Sequence, residues 1–455
     1  MGVRGLGRDE VERDQRQRLR AAIVELVAQR GYHAVRVLDV TRLAHVSRPT
    51  FYRLYAGKDE LLVSAYDEIA ARVAGTVLGA YQANASKREC LRRAMRAFME
   101  LGAADPDAMS LLVVGAFGGG AKAGEHRRLT LARLEAGILQ SRDGSAASEP
   151  GALLSTDFTI KVILGGIGGV TASRLCQGRA SELPGLADEL SAWAARYRPR
   201  VPAELEIPAP ARWSGPGAVS DLTSERARRA EGRMPSGRHD LPREVVVKSQ
   251  RERIVDATAA IVAQKGLAGL SIPEIASRAN VSHETFYAMY PTKHAALLGA
   301  QKVGLHQALQ VALEAYRAHP ENWPRAVAAG LRALMDFVTS EPAHAHLSLV
   351  DTFAAIPEAS EIRDNMLLAF AAYLDPGLGP APAETRPPSI AAEATAAGLW
   401  LLLSHYLDKD RIADLPAALP QLTYFALTPF LGPQHAAAVA LGEGNAGQLD
   451  DPVNR

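Results

Sequence analysis

Residues 16–62 read RQRLRAAIVELVAQRGYHAVRVLDVTRLAHVSRPTFYRLYAGKDELL, and residues 251–297 read RERIVDATAAIVAQKGLAGLSIPEIASRANVSHETFYAMYPTKHAAL. Set 235 positions apart they align without a gap, and sixteen of the 47 pairs are identical. The identities include Gly31/Gly266, Val46/Val281, Ser47/Ser282, Thr50/Thr285, Phe51/Phe286, Tyr52/Tyr287, Tyr55/Tyr290 and Lys58/Lys293. A second echo lies further along: RASELPGLADEL (179–190) matches RIADLPAALPQL (411–422) at a shift of 232. Two echoes in the same order imply that a unit of about 200 residues was duplicated, a period far too long for a solenoid.

Within each copy the apolar period is helical. Leu19, Ile23, Leu26 and Val27 recur at three- and four-residue steps and run out at Gly31; Ile254, Ala257, Ile261 and Val262 do the same before Gly266. Glycine suits the position just past a helix end. No sustained two-residue alternation occurs, so the sequence predicts an all-α fold.

Beyond each glycine the pattern shortens to a helix, a three-residue turn and another helix. In the second copy Ser271 and Glu274 have the spacing of a capping box that starts a helix over 272–278. Ala279-Asn280-Val281 makes the turn, where asparagine tolerates a left-handed backbone. Ser282 then caps HETFYAMY. The first copy has Val37–Leu43, Ala44-His45-Val46, and Ser47 capping RPTFYRLY. Two short helices joined in this way are a helix-turn-helix, whose second helix enters the DNA major groove.

These residues resemble the DNA-binding domain of the TetR family of bacterial transcriptional regulators. The first copy carries Gly31-Tyr32, Ala44-His45-Val46-Ser47, Thr50-Phe51-Tyr52, Tyr55 and Lys58. The second carries Gly266, Ser271, Ile275-Ala276, Ala279-Asn280-Val281-Ser282, Thr285-Phe286-Tyr287, Tyr290 and Lys293. The resemblance implies a three-helix head that binds double-stranded DNA, and a helical body that dimerises and takes a small-molecule effector. It also implies repression as the usual mode of control. It divides the chain into a first head (16–62), a first body (63–200), a linker rich in Pro, Gly, Ser and Arg (201–248), a second head (249–297), a second body (298–441) and a tail (442–455).

The expected DNA-contacting residues follow from chemistry at the matching positions. Tyr52 and Tyr287 can donate a hydroxyl to phosphate, and Thr50 and Thr285 a hydroxyl or methyl to backbone or thymine. Lys58 and Lys293 can clamp phosphate as point charges, and Arg48 and Arg53 can reach guanine or phosphate in the first copy alone. Phe51, Phe286, Tyr55 and Tyr290 are expected to pack the small cores of the heads.

The copies also differ. Arg36 stands where the second copy has the capping Ser271, losing the cap and adding a cation near phosphate. His283 and Glu284 replace Arg48 and Pro49, and a glutamate can accept from cytosine but is repelled by phosphate. Residues 1–62 hold twelve basic and eight acidic groups, against seven and five in 243–297. Unlike heads predict an asymmetric operator.

Composition narrows the function classes. The 455 residues carry 51 basic and 50 acidic groups, so affinity for DNA must come from local surfaces. Two cysteines, Cys90 and Cys176, make neither a disulfide framework nor a zinc site, and are expected to be inert buried thiols of a cytoplasmic protein. His344-x-His346 lacks further ligands at suitable spacing, the glycines at 118–120 and 165–169 do not follow strands, and Arg226–Arg233 reads as solvated charge. No constellation of acid, base and nucleophile points to an enzyme, and no cofactor is expected. Apolar runs such as 162–170 fall short of the roughly 20 residues of a membrane span.

The expected pairing helices are 156–176 with 186–197, and 391–407 with 415–430. A tethered second body favours an intramolecular pseudo-dimer, while a homodimer of chains with four heads remains the alternative. Trp323, Phe337, His344, His346, Phe353, Met366 and Phe370 in the second body, and Met95, Phe98, Met109 and Phe117 in the first, read as helix-bundle core, with some of them able to line an effector pocket. A rival reading of the whole chain is a ligand-binding or scaffold protein whose heads no longer bind DNA.

Overall fold

A computed structural model describes residues 7–80, 86–114, 158–197, 242–351, 357–379, 386–408 and 411–442, with 126, 129–130, 132–133 and 205. Among these residues there are helices and turns and no β-strand. Phe117, Phe353, most of the linker, Arg226–Arg233, the glycines at 118–120 and the tail beyond Gly442 lie outside them.

The chain forms two compact units. The first comprises Met1–Lys161, Ile167–Ala195 and Phe353–Glu361; the second comprises Val162–Gly166, Arg196–Thr352 and Ile362–Arg455.

In the first unit α1 (Arg8–Arg30) ends where Gly31 takes φ 71°. A side chain is strained at such an angle, which is why the helix stops at a glycine. α2 (Val37–Leu43), α3 (Arg48–Leu54) and α4 (Lys58–Ala80) follow, then α5 (Lys87–Ala104) and α6 (Pro106–Val113). Asp105 starts α6 by accepting the Ala108 amide at 3.2 Å, with Pro106 at the first helical position. Leu19, Ile23, Leu26 and Val27 of α1, Phe51 and Leu54 of α3, Leu61 and Leu62 of α4 and Met109 of α6 share one buried core. The expected core faces are therefore the observed ones, and Met95 is buried as well. α7 (Phe158–Cys176) and α8 (Ala187–Ala194) follow before the linker.

The second unit repeats the order: α9 (Arg243–Lys265), α10 (Ile272–Ala279), α11 (His283–Met289), α12 (Lys293–Arg317), α13 (Trp323–Ser340), α14 (Pro342–His346) and α15 (Pro357–Ala371). Then come α16 (Ala391–Asp408), α17 (Leu415–Leu431) and α18 (Pro433–Leu441). α9 reaches back to Arg243, so the helix of the second head begins inside the stretch read as linker; α1 likewise begins eight residues before the aligned segment. A π-helical stretch, Leu347–Asp351, directly follows α14, a feature without a sequence signal. The later echo is repeated in detail: Arg179 pairs with Glu182 (2.7 Å) and Arg411 with Asp414 (2.6 Å), each at a short 3-10 turn.

Val162–Gly166 packs within the second unit at close range. A Cβ on Gly165 would lie 2.7 Å from the Leu401 Cβ, and one on Gly398 would lie 2.5 Å from the Val162 carbonyl. In the same unit the Tyr197 hydroxyl donates to the Phe425 carbonyl at 3.1 Å, and the Arg196 guanidinium to the Pro429 carbonyl. α7 is long and apolar enough by length and composition to cross a membrane, but just over half of its most apolar stretch is buried inside the protein, as in a core helix. One correction concerns the cysteines: Cys90 is buried as expected, whereas Cys176, the last residue of α7, is exposed.

Candidate nucleic-acid interface

The two heads are built by matching contacts. In the first, the Ser47 hydroxyl accepts the Thr50 amide at 3.2 Å and lies 2.8 Å from Thr50 Oγ1; in the second, Ser282 accepts from Thr285 at 3.0 Å and lies 2.9 Å from its Oγ1. Both serines therefore cap α3 and α11 as the sequence implied. The turn before each cap needs a left-handed residue, and His45 (φ 52°) and Asn280 (φ 50°) supply it.

Phe51 and Phe286 are fully buried, and each meets the next ring edge-on, Tyr52 at 5.2 Å and Tyr287 at 5.7 Å between centroids. Those neighbours point outward: Tyr52 is 50% exposed and Tyr287 55%. On α3 the exposed Arg48 stands four residues before Tyr52, and on α11 the exposed His283 stands four before Tyr287, so each pair shares a helix face. Arg53 is exposed, with a guanidinium nitrogen 3.4 Å from Gln15 Oε1, and Glu284 is exposed on α11. Arg48, Tyr52 and Arg53 thus come together on one short helix, as do His283, Glu284 and Tyr287 on the other.

Lys58, Lys293 and Glu274 sit differently from their sequence reading, while Arg36 and Ser271 keep their expected places. Arg36 is exposed at the start of α2, and its amide donates to Asp39 Oδ2 at 3.0 Å, so half of a capping box survives without the serine. Ser271 does cap α10, accepting the Glu274 amide at 3.4 Å, but the Glu274 carboxylate turns to Lys265 Nζ at 2.6 Å instead of closing the box. Lys58 and Lys293 open α4 and α12 as expected, yet both ammonium groups point inward. Lys58 Nζ donates to the carbonyls of Tyr32 (3.2 Å) and Val35 (3.1 Å) and lies 4.1 Å from the centre of the Tyr32 ring; Lys293 Nζ donates to the Leu270 carbonyl at 2.9 Å. Burial pushes the Lys58 ammonium below the usual lysine range. These lysines close the heads, and a phosphate clamp would need them to let go.

One pair escaped the sequence reading. Arg18 Nη1 donates to the carbonyls of Ala44 (2.8 Å) and His45 (3.2 Å), and Arg253 Nη1 to that of Asn280 (3.1 Å). The signal was available, since Arg18 and Arg253 are one of the identical pairs of the repeat.

The profile of the bacterial regulatory proteins of the TetR family matches residues 19–65 and again residues 254–300. The TetR-family regulatory domain occurs twice in this chain. A crystal structure of a TetR-like transcriptional regulator from Rhodococcus sp. RHA1 is similar at 20% sequence identity, with a TM-score of 0.33, over 43% of this chain and 100% of that one. Among the described residues, no group of three or more His, Cys, Asp or Glu is placed to hold a metal ion.

The second unit also holds an apolar cavity, with about 900 Å³ of empty space counting its open mouth. Phe337 and Phe370 line it; Trp323, His344 and Met366 do not. Met366 is buried, and Trp323 is occupied elsewhere, its indole N–H donating to the Tyr373 carbonyl at 2.8 Å.

Proposed function

We propose that this chain is a transcriptional regulator that binds duplex DNA through two unlike helix-turn-helix heads, under the control of a small apolar effector. The observation that carries the reading is the pair of serine-capped helices presenting Tyr52 and Tyr287 to solvent over buried Phe51 and Phe286. A half-exposed tyrosine on a helix of seven residues adds little to folding, and its hydroxyl suits a phosphate oxygen.

In this reading Arg36, Arg48, Thr50, Tyr52 and Arg53 contact DNA from the first head. Ser271, His283, Glu284, Thr285 and Tyr287 do so from the second, while Lys58 and Lys293 hold the loops that position them. Thr50 and Thr285 keep their hydroxyls on the cap and offer DNA their methyl groups. Arg48 against His283 and Arg53 against Ala288 make the operator asymmetric. Repression is the mode that the TetR resemblance favours.

A single chain acts as a pseudo-dimer in this reading. Support comes from the second compact unit, where Val162–Gly166 of α7 meets Gly398 and Leu401 of α16, and Tyr197 meets Phe425 of α17. These are segments that the sequence marks as pairing helices, and their glycines allow close backbone approach.

The test is selection of bound duplexes from a random library by the full chain, followed by affinity measurement at several salt concentrations. The expected result is an enriched asymmetric sequence whose affinity falls steeply with salt. Tyr52→Ala and Tyr287→Ala should each weaken it about fivefold to tenfold, near 1 kcal/mol. No enrichment, or affinity indifferent to both substitutions, would favour the scaffold reading.

A further inference from the structure

Carried through the helices, the repeat pairs Gly304 with Ile69 at a shift of 235, and His344 with Ala108 and Ser348 with Leu112 at a shift of 236. Where the first copy has three apolar side chains, the second has a bare glycine, an imidazole and a hydroxyl. The three lie together. A Cβ on Gly304 would sit 3.0 Å from Ser348 Oγ and 3.4 Å from His344 Nδ1. Gly304 and Ser348 both line the apolar cavity, whereas His344 stands behind that lining, with its Nδ1 beside the notch left by the missing Gly304 side chain.

His344 is 1% exposed and Ser348 4%, yet neither His344 Nδ1 nor Ser348 Oγ has a hydrogen-bond partner among the described residues. A buried polar atom left so is costly, and such atoms in native proteins call for a partner. Ser348 belongs to the π-helical stretch Leu347–Asp351, a distortion that recurs at functional sites. The other nitrogen of His344, Nε2, lies 3.0 Å from Asp256 Oδ1 on α9, the first helix of the second head. In the first copy the residue matching Asp256 is Ala21. A carboxylate only accepts, so Nε2 carries a proton; in the neutral imidazole Nδ1 is then an acceptor. Ser348 can donate. A hydroxyl placed between them would donate to one and accept from the other; an ether or ketone could satisfy Ser348 alone. A carboxylate would bring a second anion to an imidazole already paired with Asp256.

We propose that the cavity of the second unit takes an uncharged, apolar alcohol or phenol, its hydroxyl held between His344 Nδ1 and Ser348 Oγ, and that the His344–Asp256 hydrogen bond relays its presence to α9. The proposal rests on the reading of the second unit as the effector-binding body and names the chemistry it selects. The first unit, with Ile69, Ala108 and Leu112 in the matching places, has no such selectivity.

The test uses the full chain, calorimetric titration and four probes: 1-naphthol, 1-methoxynaphthalene, naphthalene and 1-naphthoate. The expected result is one 1-naphthol per chain, bound at least tenfold more tightly than the other three. Ser348→Ala should bring 1-naphthol down to the level of 1-methoxynaphthalene while leaving naphthalene unchanged. Gly304→Ala, whose Cβ would meet Ser348 Oγ at 3.0 Å and His344 Nδ1 at 3.4 Å, should erase the preference by filling the notch. Hydrogen exchange reads the relay: amides of 254–262 should slow at least threefold on 1-naphthol binding, and Asp256→Ala should remove that response even at saturating 1-naphthol. Absence of 1-naphthol binding, equal binding of the neutral probes, or a preference that survives both substitutions would overturn the assignment; unchanged exchange at 254–262 in the unsubstituted protein would overturn the relay. None of these measurements involves DNA, so their failure is separable from failure of the DNA-binding reading.

Discussion

Arg253 reaches from the first helix of the second head to the carbonyl of Asn280, 3.1 Å away. The matching Arg18 makes the same reach to His45 in the first head and bonds Ala44 besides. Each guanidinium thus satisfies carbonyl groups exposed by the left-handed turn and fixes the angle between the scaffold helix and the recognition helix. Arg18→Ala and Arg253→Ala should each lower stability by about 1.5–3 kcal/mol, as expected for a hydrogen bond from a charged donor. Denaturant titration of each variant gives the number.

The buried and outward rings should separate cleanly. Phe51→Ala or Phe286→Ala removes a fully buried ring and should cost about 3–5 kcal/mol, unfolding the head concerned. Tyr52→Ala and Tyr287→Ala should stay within about 0.5 kcal/mol of the parent while weakening DNA binding. Circular dichroism melts alongside binding curves distinguish the two classes.

The turn residues supply a gain. His45 holds φ 52° with a full side chain, whereas Asn280 at φ 50° is a residue type that visits this region readily. His45→Gly should therefore stabilise the first head by about 0.5–1 kcal/mol, with Asn280→Gly gaining less in the second. Thermal denaturation of the two single variants tests the ordering.

The heads were legible because their determinants are local: a glycine where α1 ends, a left-handed turn residue and a capping serine all act within a few residues. The inward turn of Lys58 and Lys293 was not, since their carbonyl partners lie 23 to 26 residues away and depend on how the helices pack. The same holds for Arg18 with Ala44. In the second body, periodicity marked Phe337, Phe370, Trp323 and Met366 alike as apolar. Only packing decides that the first two face the cavity, and nothing in the sequence marks the π-helical stretch that turns Ser348 toward it.

Tyr406 gives a pH dependence of known sign. Burial pushes its phenol up to about 12 from the usual 10, so the unfolded chain ionises first as pH rises. The contribution is fully present below pH 10 and is lost between 10 and about 12. Burial raises Tyr290, Tyr316 and Tyr373 in the same direction. Unfolding titrations at pH 9 and pH 11 should show a fall in stability that is smaller in Tyr406→Phe.

Close helix contact in the second unit makes a steric prediction. A methyl at Gly398 would meet the Val162 carbonyl at 2.5 Å, and backbone cannot yield as a side chain can. Gly398→Ala should cost about 1–3 kcal/mol. Gly168, with open space around its Cα, should accept alanine without loss. Melting temperatures of the pair provide the comparison.

The central claim is that one chain carries both halves of a DNA-binding regulator. The most direct test is a stoichiometric fluorescence-anisotropy titration of a selected duplex, at a DNA concentration well above Kd. Saturation at one chain per duplex, lost when either Tyr52→Ala or Tyr287→Ala is introduced at higher salt, is the predicted result. Saturation at two chains per duplex would contradict the pseudo-dimer, and a duplex left unbound at every salt concentration would contradict the regulator itself.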